Sequence, residues 1–238
     1  MAKRKIKRKA VKKPDEFITF GAKAMTWCRE NVKILSGVAA GFALIFVVGG
    51  AIFVFKAHRE AKAADLYQKA LAQYPTGSLG DNNATEYFQT TAALEKILQQ
   101  YGSTTVATDA LVDLGNIYFG QGLYDKAIAC YNDFLQRTDR TNPLRDPVLV
   151  SLGETYETKG SYEDALKIYQ LLAKEGAPVY QTQVQLYLGR VYEAMGDKTQ
   201  AMVHYDNYLN QSPAPLFGEW LRIKLQRWRQ EEKSVEGG

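Results

Sequence analysis

The two histidines of this chain, His58 and His204, stand far apart in the sequence, and neither has a cysteine or carboxylate at the spacing of a metal-ligand set. No nucleophile elbow is present, and the glycines recur at wide, regular intervals instead of gathering into a phosphate-cradling loop. The sequence therefore offers no residue for catalysis, a metal or a cofactor, and reads as a non-enzyme. The chemistry that remains is recognition of another protein. Val112, Asn116 and Phe119, then Val150, Glu154 and Glu157, then Leu186, Arg190 and Glu193 occupy the same offsets from three recurring Leu-Gly pairs. On successive helices they would line one concave groove with apolar and acidic side chains and a single cation. A clamp for acidic C-terminal peptides needs several Lys, Arg and Asn, and only Asn116 and Arg190 qualify. An extended or helical protein segment with some apolar side chains suits this set better.

The elements that would carry these residues show as a threefold pattern. Leu114-Gly115 is followed by Tyr118, Gly122, Tyr124, Ala127 and Tyr131; Leu152-Gly153 by Tyr156, Gly160, Tyr162, Ala165 and Tyr169; Leu188-Gly189 by Tyr192, Gly196, Ala201 and Tyr205. The small residues lie where two antiparallel helices must approach closely, and each Leu–Tyr pair four apart shares one helical face. Gly122, Gly160 and Gly196 fall where a left-handed residue ends a first helix, and Pro178 and Pro213 stop second helices. The pattern resembles the tetratricopeptide repeat over roughly residues 107 to 213, with offsets of 38 and 36 residues between the Leu-Gly glycines, slightly above the usual period of about 34. Lys198 replaces the aromatic after the third turn glycine, and Asp139 stands where the first repeat would have Pro. The fold class implied is an all-α solenoid.

Upstream, Ala63, Tyr67, Ala70, Leu71 and Pro75 have the spacing of a second-helix half, and residues 84 to 101 read as a further amphipathic helix before Gly102. Downstream, Pro215 to Glu232 carries Phe217, Trp220, Leu221, Lys224, Leu225 and Trp228 at three-to-four spacing. That helix is expected to cap the solenoid, with its aromatics also available to a partner or a second copy of the chain, and Ser234 to Gly238 as a disordered end.

Ile34 to Phe55 is an uncharged run of 22 residues. As a helix it extends about 33 Å, enough for a hydrocarbon core of about 30 Å. A cleaved signal peptide would have an apolar part of only about 7 to 15 residues, so a single transmembrane helix is the reading adopted. Gly37 and Gly41 form a G-x-x-x-G pair within it. Residues 1 to 33 hold eleven basic against three acidic side chains, a balance of +8 in a chain of net charge +4, so the remainder carries −4. The positive-inside rule then places the N-terminus in the cytoplasm and the repeats outside it. The basic cluster is explained by topology and anionic lipid headgroups, and no nucleic-acid partner is implied. Phe17, Phe20, Ala24 and Trp27 follow helical spacing, as an interfacial helix or as an extension of the span.

Cys28 and Cys130 would lie on opposite sides of the membrane and cannot pair within one chain; Cys130 reads as a partly buried small hydrophobe. His204 reads as a solvent-facing helix residue. Asn83-Ala84-Thr85 and Asn210-Gln211-Ser212 match the glycosylation sequon, which matters only in a eukaryotic secretory setting.

The succession of basic tail, juxtamembrane helix with Trp27, single span, Lys56-Ala57-His58-Arg59 and Ala63-Ala64-Asp65-Leu66-Tyr67 entering helical repeats resembles the YfgM-like family. Members are bacterial inner-membrane proteins with periplasmic tetratricopeptide repeats, ancillary to the SecYEG translocon and linked to periplasmic chaperones; their repeat domain is grouped with that of CpoB. The resemblance implies translocon contacts through the span and chaperone or exported client proteins at the repeats; the aromatics of the terminal helix leave a homodimer as a further arrangement. The other reading is a static scaffold for a division, secretion or electron-transfer complex of the envelope. The organisation expected is a basic cytoplasmic tail with juxtamembrane helix at 1–33, a transmembrane helix at 34–55, and degenerate N-terminal repeat helices at 56–106. Three repeats follow at 107–213, with a capping helix and tail at 214–238.

Overall fold

The structure is a computed structural model that describes residues 16–72, 84–211 and 218–236. The expected Pro75–Asn83 loop, the Asn83 sequon, Ser212 of the second sequon, Pro213, Pro215 and the first fifteen residues lie outside that set. All ten α-helices and one short 3-10 turn are connected without a strand among the described residues. Contacts divide the chain into two units, Met1–Ala57 and His58–Gly238.

In the first unit, α1 (Glu16–Glu30) leads into α2 (Val32–Ala72). Asn31 N–H donates to Trp27 O and Leu35 N–H to Asn31 O, both at 3.0 Å, so the helical ladder runs through the junction. The apolar stretch of α2 is long enough to cross a membrane. Its side chains, Phe42, Phe46 and Phe53 among them, are exposed, with no protein packed over them.

The second unit begins inside α2 at His58 and continues through α3 (Ala84–Tyr101), α4 (Thr105–Gly120), α5 (Tyr124–Arg137), α6 (Arg145–Lys159) and α7 (Tyr162–Glu175). After the 3-10 turn Pro178–Tyr180 come α8 (Gln181–Ala194), α9 (Lys198–Gln211) and α10 (Gly218–Glu236). α4 pairs with α5, α6 with α7 and α8 with α9 as helical hairpins, while α3 packs on α4, α5 on α6 and α7 on α8. This alternation gives α3 a second-helix role. The part of α2 from His58 to Ala72 carries Ala70, which is buried in the same apolar cluster as Tyr87 and Leu94 of α3. Tyr67 of that segment donates to Asp113 of α4 at 2.5 Å, and Glu60 accepts from the Thr105 and Val106 N–H groups that begin α4. Thr104 Oγ1 accepts from Ala107 N–H, so the first turn of α4 is capped from two sides.

Two sequence features repeat as geometry. Gly122, Gly160 and Gly196 have φ of 73°, 83° and 83°, and no other described residue has positive φ. Gly115, Gly153 and Gly189 each lie under the ring of the tyrosine sixteen residues on, Tyr131, Tyr169 and Tyr205. Those rings are buried, and around them Phe134, Leu152, Leu172, Val184 and Val191 have no exposed surface. Each side chain of this size contributes about 1.5–3 kcal/mol of burial.

Leu221, Leu225 and Trp228 of α10 repeat, 37 residues on, the positions of Val184, Leu188 and Val191 in α8. They bury against Ala201, Met202, Tyr205 and Tyr208 of α9. Helix α10 thus keeps the register of a first helix, and it covers the apolar face of the preceding hairpin. It begins at Gly218 and runs to Glu236, past the Glu232 end expected, so Ser234 is helical and not part of a disordered tail.

Candidate protein-binding groove

The nine groove positions fall into three rows set by the register of the first helices. Val112, Val150 and Leu186 are half-buried and support the three apolar clusters of the core. Asn116, Glu154 and Arg190 follow the repeat glycine by one residue, and Phe119, Glu157 and Glu193 by four. Because a tyrosine ring lies over each glycine, its hydroxyl emerges beside these two rows. Tyr131 Oη donates to Asn116 Oδ1 at 2.8 Å, Tyr169 Oη to Glu157 Oε2 at 3.2 Å, and Tyr205 Oη to Glu193 Oε2 at 2.7 Å. Phe119, where the other repeats have glutamate, instead tilts onto Tyr124 with centroids 5.9 Å apart. Burial pushes all three tyrosine hydroxyls upward in pKa, so they act as neutral donors.

Neighbouring first helices are joined across this surface. Arg190 of α8 grips Glu157 of α6 with two bonds, Nε to Oε1 at 2.9 Å and Nη2 to Oε2 at 2.7 Å. The guanidinium also lies over the Tyr187 ring at 5.5 Å, and Tyr187 stacks on Tyr169 at 5.0 Å. Lys224 of α10 pairs with Glu193 of α8. Its ammonium is 4.7 Å from the Trp220 ring centre and 5.0 Å from that of Trp228.

Beside that pair a cavity of about 480 Å³ is lined by Leu186, Arg190, Glu193, Tyr205, Trp220 and Leu221. It brings together three of the sequence-derived groove residues; Val112, Asn116, Phe119, Val150, Glu154 and Glu157 lie on the earlier helices. Counting from the Leu-Gly pairs misses Trp220, Leu221 and Lys224, because α10 has Gln226 where α8 has Gly189. The signal that finds them is the Leu221–Leu225–Trp228 register.

His204 departs from a solvent-facing reading. Its ring is half-buried, stacks on Tyr192 at 5.3 Å and 7°, and has Nδ1 2.8 Å from Gln185 Oε1; burial lowers its pKa. Cys28 is exposed and Cys130 partly buried at the edge of the α4–α5 core.

Sequence-family comparison matches residues 106–172 and 183–214 to tetratricopeptide repeat profiles. These segments are tetratricopeptide repeats. Arrays of such repeats are protein–protein interaction modules. No curated protein matches the chain. A solved tetratricopeptide repeat protein from Parabacteroides merdae is 17% identical, with a TM-score of 0.54 over 70% of this chain and 61% of that one. A set of nearly identical TPR-like repeats from a Podosopora anserina protein named for kinesin light chain is 13% identical, with a TM-score of 0.54 over 75% and 90%. The crystal structure of MamA is 20% identical over 68% and 99%, with a TM-score of 0.48. Likeness at these identities concerns the repeat fold alone.

Proposed function

We propose that the protein is a single-pass inner-membrane protein whose repeat domain faces the periplasm and binds other proteins in the groove of α4, α6, α8 and α10. The observation that carries this reading is the apolar cavity at the end of a polar groove, a surface that accepts a bulky side chain while hydrogen-bonding groups flank it. The excess of positive charge before the span supports the orientation, and the long apolar face of α2 supports attachment to lipid. Within that frame the role is that of an ancillary factor, chaperone-like, meeting exported chains at the translocon.

A photo-crosslinking amino acid placed separately at Ala43, Asn116 and Trp220 in intact cells, with adducts identified by mass spectrometry, tests the proposal. Translocon subunits at Ala43, with many exported proteins or chaperones at the groove, are the expected result. A single unrelated envelope complex at all three positions would replace the exported-client role with that of a dedicated scaffold. Adducts at Asn116 and Trp220 from cytoplasmic proteins alone would overturn the orientation.

A further inference from the structure

The groove's charges are matched at two of three places. Glu157 is held by Arg190 and Tyr169, and Glu193 by Lys224 and Tyr205. Glu154, three residues before Glu157 on α6, is half-buried, and the hydrogen bond made at this residue goes to its backbone carbonyl, from Thr158 Oγ1 at 2.8 Å. Its carboxylate has around it Arg190, which is turned toward Glu157, Glu157 itself, and the rings of Tyr131, Tyr169 and Tyr187. A desolvated carboxylate without a donor weakens the fold that carries it. Glutamine at this position would spare the fold that penalty, so the glutamate is better understood as open to a cation beyond Arg190, whose guanidinium is committed to Glu157.

The cavity beside Trp220 imposes a second requirement. Its lining cation, Arg190, is neutralised by Glu157 and its lining carboxylate, Glu193, by Lys224, and the remaining lining is the carbon surface of Leu186, Tyr205, Trp220 and Leu221. An apolar side chain fits there and a charged one would lose its hydration without gaining a partner. Packed helices lie about 8–10 Å apart axis to axis, so a segment reaching from Glu154 on α6 to the cavity on α8 and α10 would span roughly 10–15 Å. An extended chain covers that in three to four residues at about 3.4 Å each.

We propose that the groove takes a polypeptide segment bearing a Lys or Arg and, three to four residues away, a bulky apolar side chain, the cation meeting Glu154 and the apolar group filling the cavity. This deepens the protein-binding role and rests on it. It excludes acidic tails, the class that a basic clamp would select.

The test uses the full chain in lipid nanodiscs and fluorescein-labelled short peptides read by anisotropy. Four peptides pair Arg with Phe, Gln with Phe, Glu with Phe, and Arg with Ser at that spacing. The Arg–Phe peptide is expected to bind about tenfold more tightly than the Gln–Phe peptide, the effect of one charge-assisted contact. Glu154→Gln should erase that difference without weakening Gln–Phe, and Trp220→Ala should weaken every Phe peptide. If Gln–Phe or Glu–Phe binds as tightly as Arg–Phe, or Glu154→Gln leaves the preference intact, the assignment of a cationic segment is overturned while the groove remains a protein-binding site. If none of the four binds, the cationic-segment assignment falls, and the crosslinks at Asn116 and Trp220 decide separately whether the groove binds proteins.

Discussion

A Cβ built on Gly153 would stand 2.3 Å from Cε1 of Tyr169, and the same contact recurs at 2.4 Å for Gly115 with Tyr131 and at 2.5 Å for Gly189 with Tyr205. The ring lies flat on backbone that a side chain would occupy, which fixes the distance between the two helices of each hairpin. Gly153→Ala should therefore destabilise the repeats although alanine favours helix. Overpacking costs about 1–3 kcal/mol, against a propensity gain of about 1 kcal/mol, so a net loss of up to about 2 kcal/mol is expected in thermal melts followed by circular dichroism. An unchanged or raised midpoint would mean that the ring moves aside freely.

Gly160 obeys a different constraint. It has φ of 83° and no atom within 4 Å of a Cβ built there, so only backbone conformation resists substitution. Gly160→Ala should cost about 1 kcal/mol and Gly160→Asn distinctly less, since asparagine tolerates the left-handed region. At Gly153 asparagine should be worse than alanine. Identical ordering of Ala and Asn at the two sites would contradict this division between steric and conformational glycines.

These two glycine classes explain what the sequence makes legible. Glycine, leucine and tyrosine at fixed offsets define the hairpins because each has a steric role that recurs three times. The Glu157–Arg190 and Glu193–Lys224 links are not legible in that way, since each depends on how one first helix slides along the next. The terminal helix shows the same limit: Leu221 and Leu225 keep the repeat register, but Gln226 removes the glycine that would advertise it. Trp220 and Leu221 of the cavity lining therefore escape a count based on Leu-Gly pairs. His204 reads as exposed because nothing in its local sequence announces the Tyr192 ring or Gln185 beside it.

Burial, with Glu157 nearby, raises the pKa of Glu154 above the ordinary carboxylate range, and Arg190 only partly opposes this. A carboxyl whose folded pKa is raised binds its proton more tightly when folded. Its stabilising share is complete below the unfolded pKa and is lost as pH rises through the folded one. Glu154→Gln should accordingly raise the melting midpoint at pH 7 and have little effect near pH 4. The group is half exposed, so screening holds the gain to no more than about 1 kcal/mol. A variant that melts lower than the parent at pH 7 would show that Glu154 is satisfied within the fold.

Cys130 should be a slow nucleophile. Burial first, then the neighbouring carboxylates of Asp133 and Glu95, push its thiol up to about 11 despite Lys126 nearby. At pH 8 only about one molecule in a thousand then carries the thiolate. Iodoacetamide labelling at Cys130, read by peptide mass spectrometry, should be more than about a hundredfold slower in the native protein than in guanidinium. Comparable native and denatured rates would mean that the α4–α5 hairpin opens readily.

Removal of Trp228 separates local from global stability. Its ring is buried against Tyr205 and the apolar face of α9, so Trp228→Ala should cost about 3–5 kcal/mol. In an array whose helices touch only their neighbours, that loss should remain near the damaged end. Hydrogen exchange is expected to quicken across α8, α9 and α10 while the α4–α5 amides keep their protection. Ile223→Ala, an exposed change on the same helix, should shift neither by more than about 0.5 kcal/mol. If exchange instead rises evenly from α4 to α10, the repeats unfold as one cooperative body. A ligand bound at the cavity would then stabilise every hairpin, and not only the last.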